Sequence, residues 1–228
     1  MLTKAQIKRR LKKGVALFLR IPLKNKEFSI LSNNCWGGVV YDRYALPYRT
    51  PTIGLWIPPE DYIKLLENPK FYFNNELKQI NYRESHVADL LIERKKSGRY
   101  DFDLDDLIIG RVVDVDIVFI HYKTFDDAKK KWDRRKQRIN WDNLVVKFND
   151  QNGCKTEDYQ SFLQLPYKNK LFFTAREEWC TEPYCIFLKQ YANDGYVVND
   201  TTHGDVPLDL TNYLNGIFKN NKTGCSVI

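Results

Sequence analysis

The chain has 228 residues, of which 43% are hydrophobic, 14% aromatic and 29% charged, a composition typical of one folded domain rather than a disordered chain. Its net charge of +7 arises in the first 26 residues, which contain nine Lys or Arg and no acid; the rest of the chain has 27 basic and 29 acidic residues. A nucleic-acid-binding protein carries its basic surface on the fold itself, so this distribution argues against nucleic acid as a partner.

The chain contains no apolar run of the ~18–20 residues that a membrane-spanning helix needs. Residues 15–19 are apolar, but this run is short and Arg20 follows it, so a secretory signal is not expected. Five cysteines without a CxxC pair do not form the pattern of a disulfide framework or a zinc site. We therefore expect a cytoplasmic protein with reduced thiols and no metal site.

Residues 1–26 are predicted to form a basic N-terminal helical segment, and residues 27–228 a single α/β domain. Ile7, Leu11 and Phe18 recur at roughly helical spacing among the basic residues, and Pro22 ends the pattern. A helix of this composition suits the surface of an anionic membrane, so peripheral membrane contact is one expectation. The alternative is a solvated basic helix that packs loosely on the domain.

Residues 28–44 read FSILSNNCWGGVVYDRY, which predicts a buried strand, a polar turn and the start of a helix. Two consecutive glycines let the backbone approach a ligand, and the free N–H groups of the helix start favour an anionic group. The alternative is an ordinary strand-to-helix turn in which asparagine side chains replace backbone hydrogen bonds. This stretch provides most of the residues assigned to substrate binding: Ser32, Asn33, Asn34, Trp36, Gly37 and Gly38.

The next part of the chain has weaker patterns. The helix after the glycines is expected to end before Pro47, because the residue preceding a proline is disfavoured in helical conformation. Pro59 suits the first turn of another helix. Residues 74–106 show little periodicity, and His86 within them is expected to have no role beyond the surface.

Residues 113–120 alternate between polar and apolar and then become continuously apolar, which predicts a core strand of the main sheet. His121 and Tyr122 stand at its end, where a site would lie. Asp114 and Asp116 alternate with the apolar residues, and this spacing fits a solvent-facing edge as well as a metal site.

A helix with a recognisable start follows this strand. Thr124 is the expected N-cap, and Asp126 and Asp127 lie in the first turn. From Lys129 to Arg138 the exposed face is strongly basic. Such a face is usually solvated, and its alternative role is to bind the phosphates of a donor substrate.

Two apolar strands, LVVKF and LFFTA, each end in polar residues. These are Asn149, Asp150 and Asn152 after the first strand and Arg176 after the second. The remaining elements are predicted at 186–188 and 196–198, as strands, and at 208–218, as a helix.

The alternation of strands and helices predicts an α/β fold with three layers, in which a mixed, mostly parallel sheet carries helices on both faces. Ligands of such sheets bind beyond the carboxyl ends of the strands. Four strand ends carry polar residues, and we expect them to converge on one edge of the sheet as a single site.

Residues 28–69 and 120–153, together with LFFTA, resemble the bacterial domain of unknown function nineteen-nineteen, whose members are often labelled exopolysaccharide biosynthesis proteins. The resemblance covers residues 27 to about 218 and places the basic N-terminal segment outside the family core. It implies a cytoplasmic protein encoded with surface-polysaccharide genes and a three-layer α/β fold. It implies no particular reaction.

Three functions fit these observations, and the first is acyl transfer onto a sugar. Cys35 would act as nucleophile or donor-positioning residue, because the start of a helix lowers the pKa of a thiol. His121 or His203 would be the base. The expected partners are an activated sugar or acyl donor and a saccharide acceptor, and no cofactor is identified.

The second function is glycosyl transfer from a nucleotide sugar. Arg176 and the basic helix would hold the diphosphate, because a guanidinium binds two oxygens at once. Asp150 would hold a metal or an acceptor hydroxyl, although the acidic metal motif familiar in such enzymes is missing. The third function is that of a non-catalytic partner of the membrane-bound polysaccharide machinery, docked through residues 1–26.

Overall fold

The computed structural model describes residues 3–96, 103–202 and 206–216. Seven strands lie in these residues: β1 (Ser29–Ser32), β2 (Lys78–Ile80), β3 (Ile108–Val112), β4 (Val115–Phe119), β5 (Leu144–Asn149), β6 (Lys170–Thr174) and β7 (Cys185–Phe187). The same residues contain eight α-helices: α1 (Lys4–Leu19), α2 (Trp36–Arg43), α3 (Pro59–Glu67), α4 (Pro69–Asn74), α5 (Ala88–Lys96), α6 (Phe125–Lys136), α7 (Thr156–Gln164) and α8 (Leu210–Gly216).

The main sheet is parallel and has the strand order β1-β5-β6-β7. Successive residues of a strand point to opposite faces of a sheet. Val145 of β5 therefore packs in one apolar cluster with α2, whereas Val146 and Phe148 pack in another with α3 and α7. Helices cover both faces, and the predicted α/β class is confirmed.

The strand that precedes His121 does not belong to this sheet. β2, β3 and β4 form a separate antiparallel sheet, in which Val112 pairs with Val115. Only Val113 and Asp114 connect the two strands, and a two-residue connection joins antiparallel strands, whereas a parallel crossover needs a dozen or more residues. The prediction that residues 113–120 lie in the main sheet is therefore wrong.

Residues 55–57 join the two sheets. The backbone of Trp56 exchanges two hydrogen bonds of 2.9 Å with Val118 in β4. The N–H of the next residue, Ile57, donates to the carbonyl of Asn33 at 2.9 Å, directly beyond the end of β1. This segment therefore brings the end of β4 close to the carboxyl end of β1.

Two predicted segments differ from the structure. Residues 74–106, whose pattern is weak, include β2 and α5. Residues 196–198 are not a strand, because the N–H of Val197 donates to the carboxylate of Asp150 at 2.6 Å rather than to a neighbouring strand.

The N-terminal helix is attached to the domain at its C-terminal end. Ala16 and Leu23 are buried there. Asn215 in α8 accepts a hydrogen bond from the N–H of Lys24 at 2.7 Å and donates one to the carbonyl of Pro22 at 2.9 Å, so the linker is held in place. The domain boundary at residue 26 stays a prediction. None of the helices in the described part of the chain combines the length and apolar composition needed to cross a membrane.

Lys170, a buried lysine of β6, caps the C-terminal end of α7. Its ammonium donates to the carbonyls of Phe162, Leu163 and Leu165 at 3.4, 2.7 and 3.1 Å, at the end of the helix, where carbonyls lack the usual partners. The Phe162 carbonyl also accepts from the N–H of Leu165 at 3.3 Å.

We expect Lys170→Met to lower the free energy of unfolding by about 1–3 kcal/mol, because these carbonyls lose their donor while the apolar stem is kept. Urea unfolding measures the change. Lys130→Met, at an exposed position of α6, is the matched control and should leave stability within about 0.5 kcal/mol of wild type. Equal stability of the two variants would contradict the capping role of Lys170.

Candidate functional site

A cavity of about 770 Å³ lies beyond the carboxyl ends of β1 and β5, between the main sheet and the β3–β4 hairpin. It is the kind of position at which open α/β sheets bind ligands. The predicted site residues that line it are Asn34, Cys35, His121, Tyr122 and Asn152. The structure thus brings together residues from three separate strand ends.

Below the cavity lies a buried polar network, which we define as Asn34, Lys147, Asn149 and Asp200. The ammonium of Lys147 forms an ion pair with Asp200 and donates to Asn34 Oδ1 at 3.1 Å. Asn34 Nδ2 donates to Asp200 Oδ1 at 2.8 Å, and Asn149 Nδ2 donates to Asp200 Oδ2 at 2.7 Å. All four side chains are buried, but Asn34 and Asp200 also line the cavity.

The predicted residues Ser32 and Asn33 support this network from β1 and the turn after it. Ser32 Oγ donates to Asn34 Oδ1 at 3.0 Å, which orients the amide. Asn33 Nδ2 donates to Asn149 Oδ1 at 2.8 Å. Neither residue lines the cavity, so they position binding groups rather than contact a ligand.

The chemistry of Lys147 follows from its place in β5. The side chain shares a face with Val145 and lies over the ring of Phe173 at 5.1 Å. Burial lowers the pKa of this lysine, and the carboxylate of Asp200 opposes the shift. A buried ammonium is stable only when it is paired, which makes Asp200 the necessary partner.

The thiol of Cys35 lies at the start of α2 and points toward the carbonyl of Leu55, with a distance of 3.7 Å from Sγ to the oxygen. Burial raises its pKa to about 11, and the carboxylate of Asp200 adds to the shift. The expectation that the helix start lowers this pKa is wrong, because loss of hydration outweighs the dipole of an eight-residue helix. Cys35 is therefore a neutral wall group of the cavity.

His121 and Tyr122 reach the cavity because the segment that follows β4 packs directly against Gly54. The N–H of His121 donates to the Gly54 carbonyl at 3.1 Å, and the hydroxyl of Tyr122 donates to the carbonyl of Ile53 at 2.6 Å. Gly54 has φ of +71°, and a Cβ there would lie 3.2 Å from His121 Cβ. Glycine is thus required at this crossing, and His121 stays exposed at the rim.

A second part of the wall comes from α5. Arg94 forms a hydrogen bond with Asn152 and stacks over Trp56, with the guanidinium 4.9 Å from the ring centroid. Asn152 adopts a positive φ of 65° in the turn after β5. Arg94 is the only lysine or arginine among the described lining residues, which also include three aspartates, Asp103, Asp106 and Asp200.

Asp150 and Arg176, predicted to be functional, are structural instead. Asp150 accepts from the hydroxyl of Thr174 and from the N–H groups of Ala175 and Val197, at 2.9, 2.8 and 2.6 Å, and it is buried. Arg176 donates to the carbonyl of Gly195 at 2.9 Å. Neither residue lines the cavity, so the expectation that both belong to the site because they follow strand ends is wrong.

Trp36, Gly37 and Gly38 also serve packing rather than binding. The Trp36 ring packs edge-on against Phe173 at 5.4 Å. A Cβ on Gly37 would lie 3.2 Å from Ile30, so the glycine lets α2 approach β1 closely. Neither glycine has a positive φ or lines the cavity, which corrects the expectation of a ligand-cradling glycine pair.

His86 is exposed, as expected, but the expectation that it has no role beyond the surface is wrong. Its Nε2 lies 2.7 Å from Asp61 Oδ2 and its Nδ1 lies 3.1 Å from Asp116 Oδ2, so it joins α3 to β4. The three side chains have the spacing of metal ligands, with ligand atoms within 4.8 Å of one another. Arg111 and Ser85 already bind Asp116, at 2.6 and 2.8 Å, so these three side chains form part of an ion-pair network. Asp61 Oδ1 is buried without a hydrogen-bond partner among the described residues and lies 4.0 Å from Lys64 Nζ.

The basic face of α6 is also largely used within the fold. Lys131 pairs with Asp127 at 2.6 Å, and Arg135 donates to the hydroxyl of Tyr122 at 2.7 Å. The role of this helix in phosphate binding stays a prediction. His203 lies outside the described residues.

Sequence reasoning missed three polar residues of the site, Lys147, Asp200 and Gln151. Lys147 carries a signal, since a single lysine in the apolar run LVVKF needs a buried counter-ion. Asp200 and Gln151, which accepts from Asn34 Nδ2 at 3.2 Å, carry none, because they lie in irregular segments.

The fold and the cavity together define an α/β protein with a polar site beyond the ends of parallel strands. The chain matches the model of the family described as Domain of unknown function (DUF1919) over residues 6–214, and it belongs to this family. The match includes most of the basic N-terminal segment and residues 74–106, which corrects the expectation that the segment lies outside the family core. An uncharacterized protein of Haemophilus influenzae (strain ATCC 51907 / DSM 11121 / KW20 / Rd) is 28% identical over 178 residues, covering 78% of this chain and 73% of that protein.

We expect iodoacetamide to modify Cys35 slowly through pH 9 and faster only as the pH approaches 11, because burial disfavours the thiolate. Mass spectrometry of the Cys35 peptide measures the rate. The same peptide in urea-unfolded protein is the control and should react with the ordinary thiol pKa of ~8.5. Rapid modification of the folded protein at neutral pH would restore Cys35 as a nucleophile.

Asp150→Asn should lower the free energy of unfolding by about 1–3 kcal/mol, because an amide nitrogen would face one of the N–H donors now bound by the carboxylate. Urea denaturation gives the change. Glu157→Gln, at an exposed position in the first turn of α7, is the control and should change stability by under about 0.5 kcal/mol. A stable Asp150→Asn protein that has lost ligand binding would return Asp150 to the site.

Proposed function

We propose that the protein is a cytoplasmic transferase of bacterial surface-polysaccharide biosynthesis that modifies a sugar, with acyl transfer as the favoured reaction. The observation that carries this proposal is the cavity of about 770 Å³, in which Asp200, held by Lys147, lies with His121. The link to polysaccharide rests on the resemblance of the sequence to proteins so labelled. The cavity supplies an independent physical argument for a sugar.

The lining of the cavity suits a polyhydroxylated ligand. Carboxylate oxygens accept hydrogen bonds from hydroxyl groups, and Asp103, Asp106 and Asp200 place carboxylates in the lining of the cavity. Trp56, Tyr122 and Tyr196 supply aromatic surface against which the apolar face of a sugar ring packs. Pockets that bind drug-sized ligands have volumes of about 300–1,000 Å³, so this cavity has room for a mono- or disaccharide.

The balance of charge favours an acyl thioester over a nucleotide sugar, because the diphosphate of a nucleotide sugar is bonded to the reacting sugar carbon and would enter the cavity, whereas the diphosphate of coenzyme A is separated from the thioester by a long uncharged arm. Arg94 is the only lysine or arginine among the described lining residues, and three aspartates lie with it, so a diphosphate would meet mostly negative charge. Arg176, expected to bind the diphosphate, instead donates to Gly195.

In the proposed step, His121 accepts the proton of a sugar hydroxyl while that oxygen attacks the carbonyl carbon of an acyl thioester. The C–S bond breaks, and the proton passes to the departing thiolate. No acyl-cysteine thioester intermediate is needed, in agreement with the raised pKa of Cys35, whose role is then to position the donor. His121 is exposed at the rim and so can exchange protons with solvent.

The test is a thermal-shift screen of saccharides, nucleotide sugars and acyl-coenzyme A, followed by a transfer assay with the ligands that bind. His121→Gln should retain saccharide binding and lose about 10²-fold or more in turnover. Lys123→Gln, an exposed change two residues along, is the control and should keep full turnover. Binding of nucleotide sugars alone would replace acyl by glycosyl transfer, and no binding of any of these compounds would favour a non-catalytic role.

A further inference from the structure

The N-terminal helix α1 exposes an apolar stripe on the surface of the folded protein. Leu11, Val15 and Phe18 are 66%, 60% and 72% exposed. At about 100° per residue these three positions lie within roughly 60° of one another around the helix axis. Ile21, just beyond the helix, is also exposed and extends the apolar surface.

This stripe is not the face by which the helix packs on the domain. Among the helix residues whose side chains the structure describes, 11 and 13–19, Ala16 is the buried one, and its position lies roughly 130° from the centre of the stripe. Leu23 is fully buried just after the helix, and Leu19 packs against the same apolar cluster as α2. The domain therefore holds α1 with its stripe turned outward.

The charge around the stripe identifies its partner. Residues 1–26 contain nine Lys or Arg and no acid, whereas the rest of the chain has a net charge of −2. A helix with an apolar stripe and a basic remainder lies in the plane of an anionic bilayer surface, with the apolar side chains among the acyl chains and the basic groups at the headgroups. A second copy of the chain would bring two such basic segments together, and their repulsion opposes that arrangement.

We propose that α1 docks the folded protein on the surface of an anionic lipid bilayer through Leu11, Val15 and Phe18. The attachment is peripheral, and it is independent of the proposed transferase function. The tether from Asn215 to Pro22 and Lys24 makes this a rigid attachment, so the membrane sets the orientation of the whole domain.

The test is co-sedimentation of the full chain with phosphatidylcholine vesicles that contain or lack phosphatidylglycerol. We expect binding only to the phosphatidylglycerol vesicles, and a loss of binding when salt is raised, because the basic groups are near the surface and are screened. Equal binding to both kinds of vesicle, or none to either, would overturn the proposal.

A triple variant tests whether the apolar stripe contributes to vesicle binding beyond the attraction of the basic residues. The combined variant Leu11→Ser, Val15→Ser and Phe18→Ser keeps every basic residue, and we expect its partition onto phosphatidylglycerol vesicles to fall by about tenfold or more. Val113→Asn is the matched control, because it removes an exposed apolar side chain on the β3–β4 turn and should bind as wild type does. Undiminished binding of the triple variant would overturn the role of the stripe.

Sedimentation velocity without lipid tests the alternative that the stripe binds a second copy of the chain. A monomer at concentrations at which the vesicles bind the protein agrees with the proposal. A dimer that the triple variant abolishes would overturn it and assign the stripe to a second copy of the chain. Circular dichroism of the triple variant should match wild type, because the three side chains are exposed and contribute little to the fold.

Discussion

The ion pair between Lys147 and Asp200 is the interaction on which the site depends. Removing two charges from water costs several kcal/mol per ion, and the cost is offset only where both partners are also hydrogen-bonded. Here Asn34 and Asn149 supply those hydrogen bonds, at 2.7–3.1 Å. A single pair thereby connects the centre of the sheet to the turn after β1 and to the irregular segment around residue 200.

The cavity exists because one short segment brings the two sheets together. Trp56 pairs with β4, and Ile57 with the turn after β1, so residues 55–57 hold both sheets. Because Gly54 has no side chain, the residues that follow β4 can pack directly against it. Catalytic and binding groups placed on such rigidly supported loops keep their geometry without a ligand. The antiparallel sheet thus acts as a wall of the site rather than as an extension of the main sheet.

Burial decides the chemistry of several groups that local patterns describe poorly. Cys35 has the sequence context of an activated thiol but the environment of an inert one. Asp150 follows a core strand, as a catalytic acid would, yet its two oxygens bind three donors of the surrounding chain. Because a strand end offers backbone groups as well as ligands, a polar residue there often satisfies the fold itself.

The sequence by itself determined the α/β class, most of the core strands and the stretch from Ser32 to Cys35 as part of the site, because apolar periodicity and turn residues are local signals. It also determined the segregation of basic charge into residues 1–26. Only the tertiary structure decided that residues 113–120 pair with β3 in a hairpin outside the main sheet, and that His86 and Asp150 bind other groups of the fold. Asp200 could not be found from the sequence, because its pairing with Lys147 spans 53 positions and depends on contacts that only the folded chain makes.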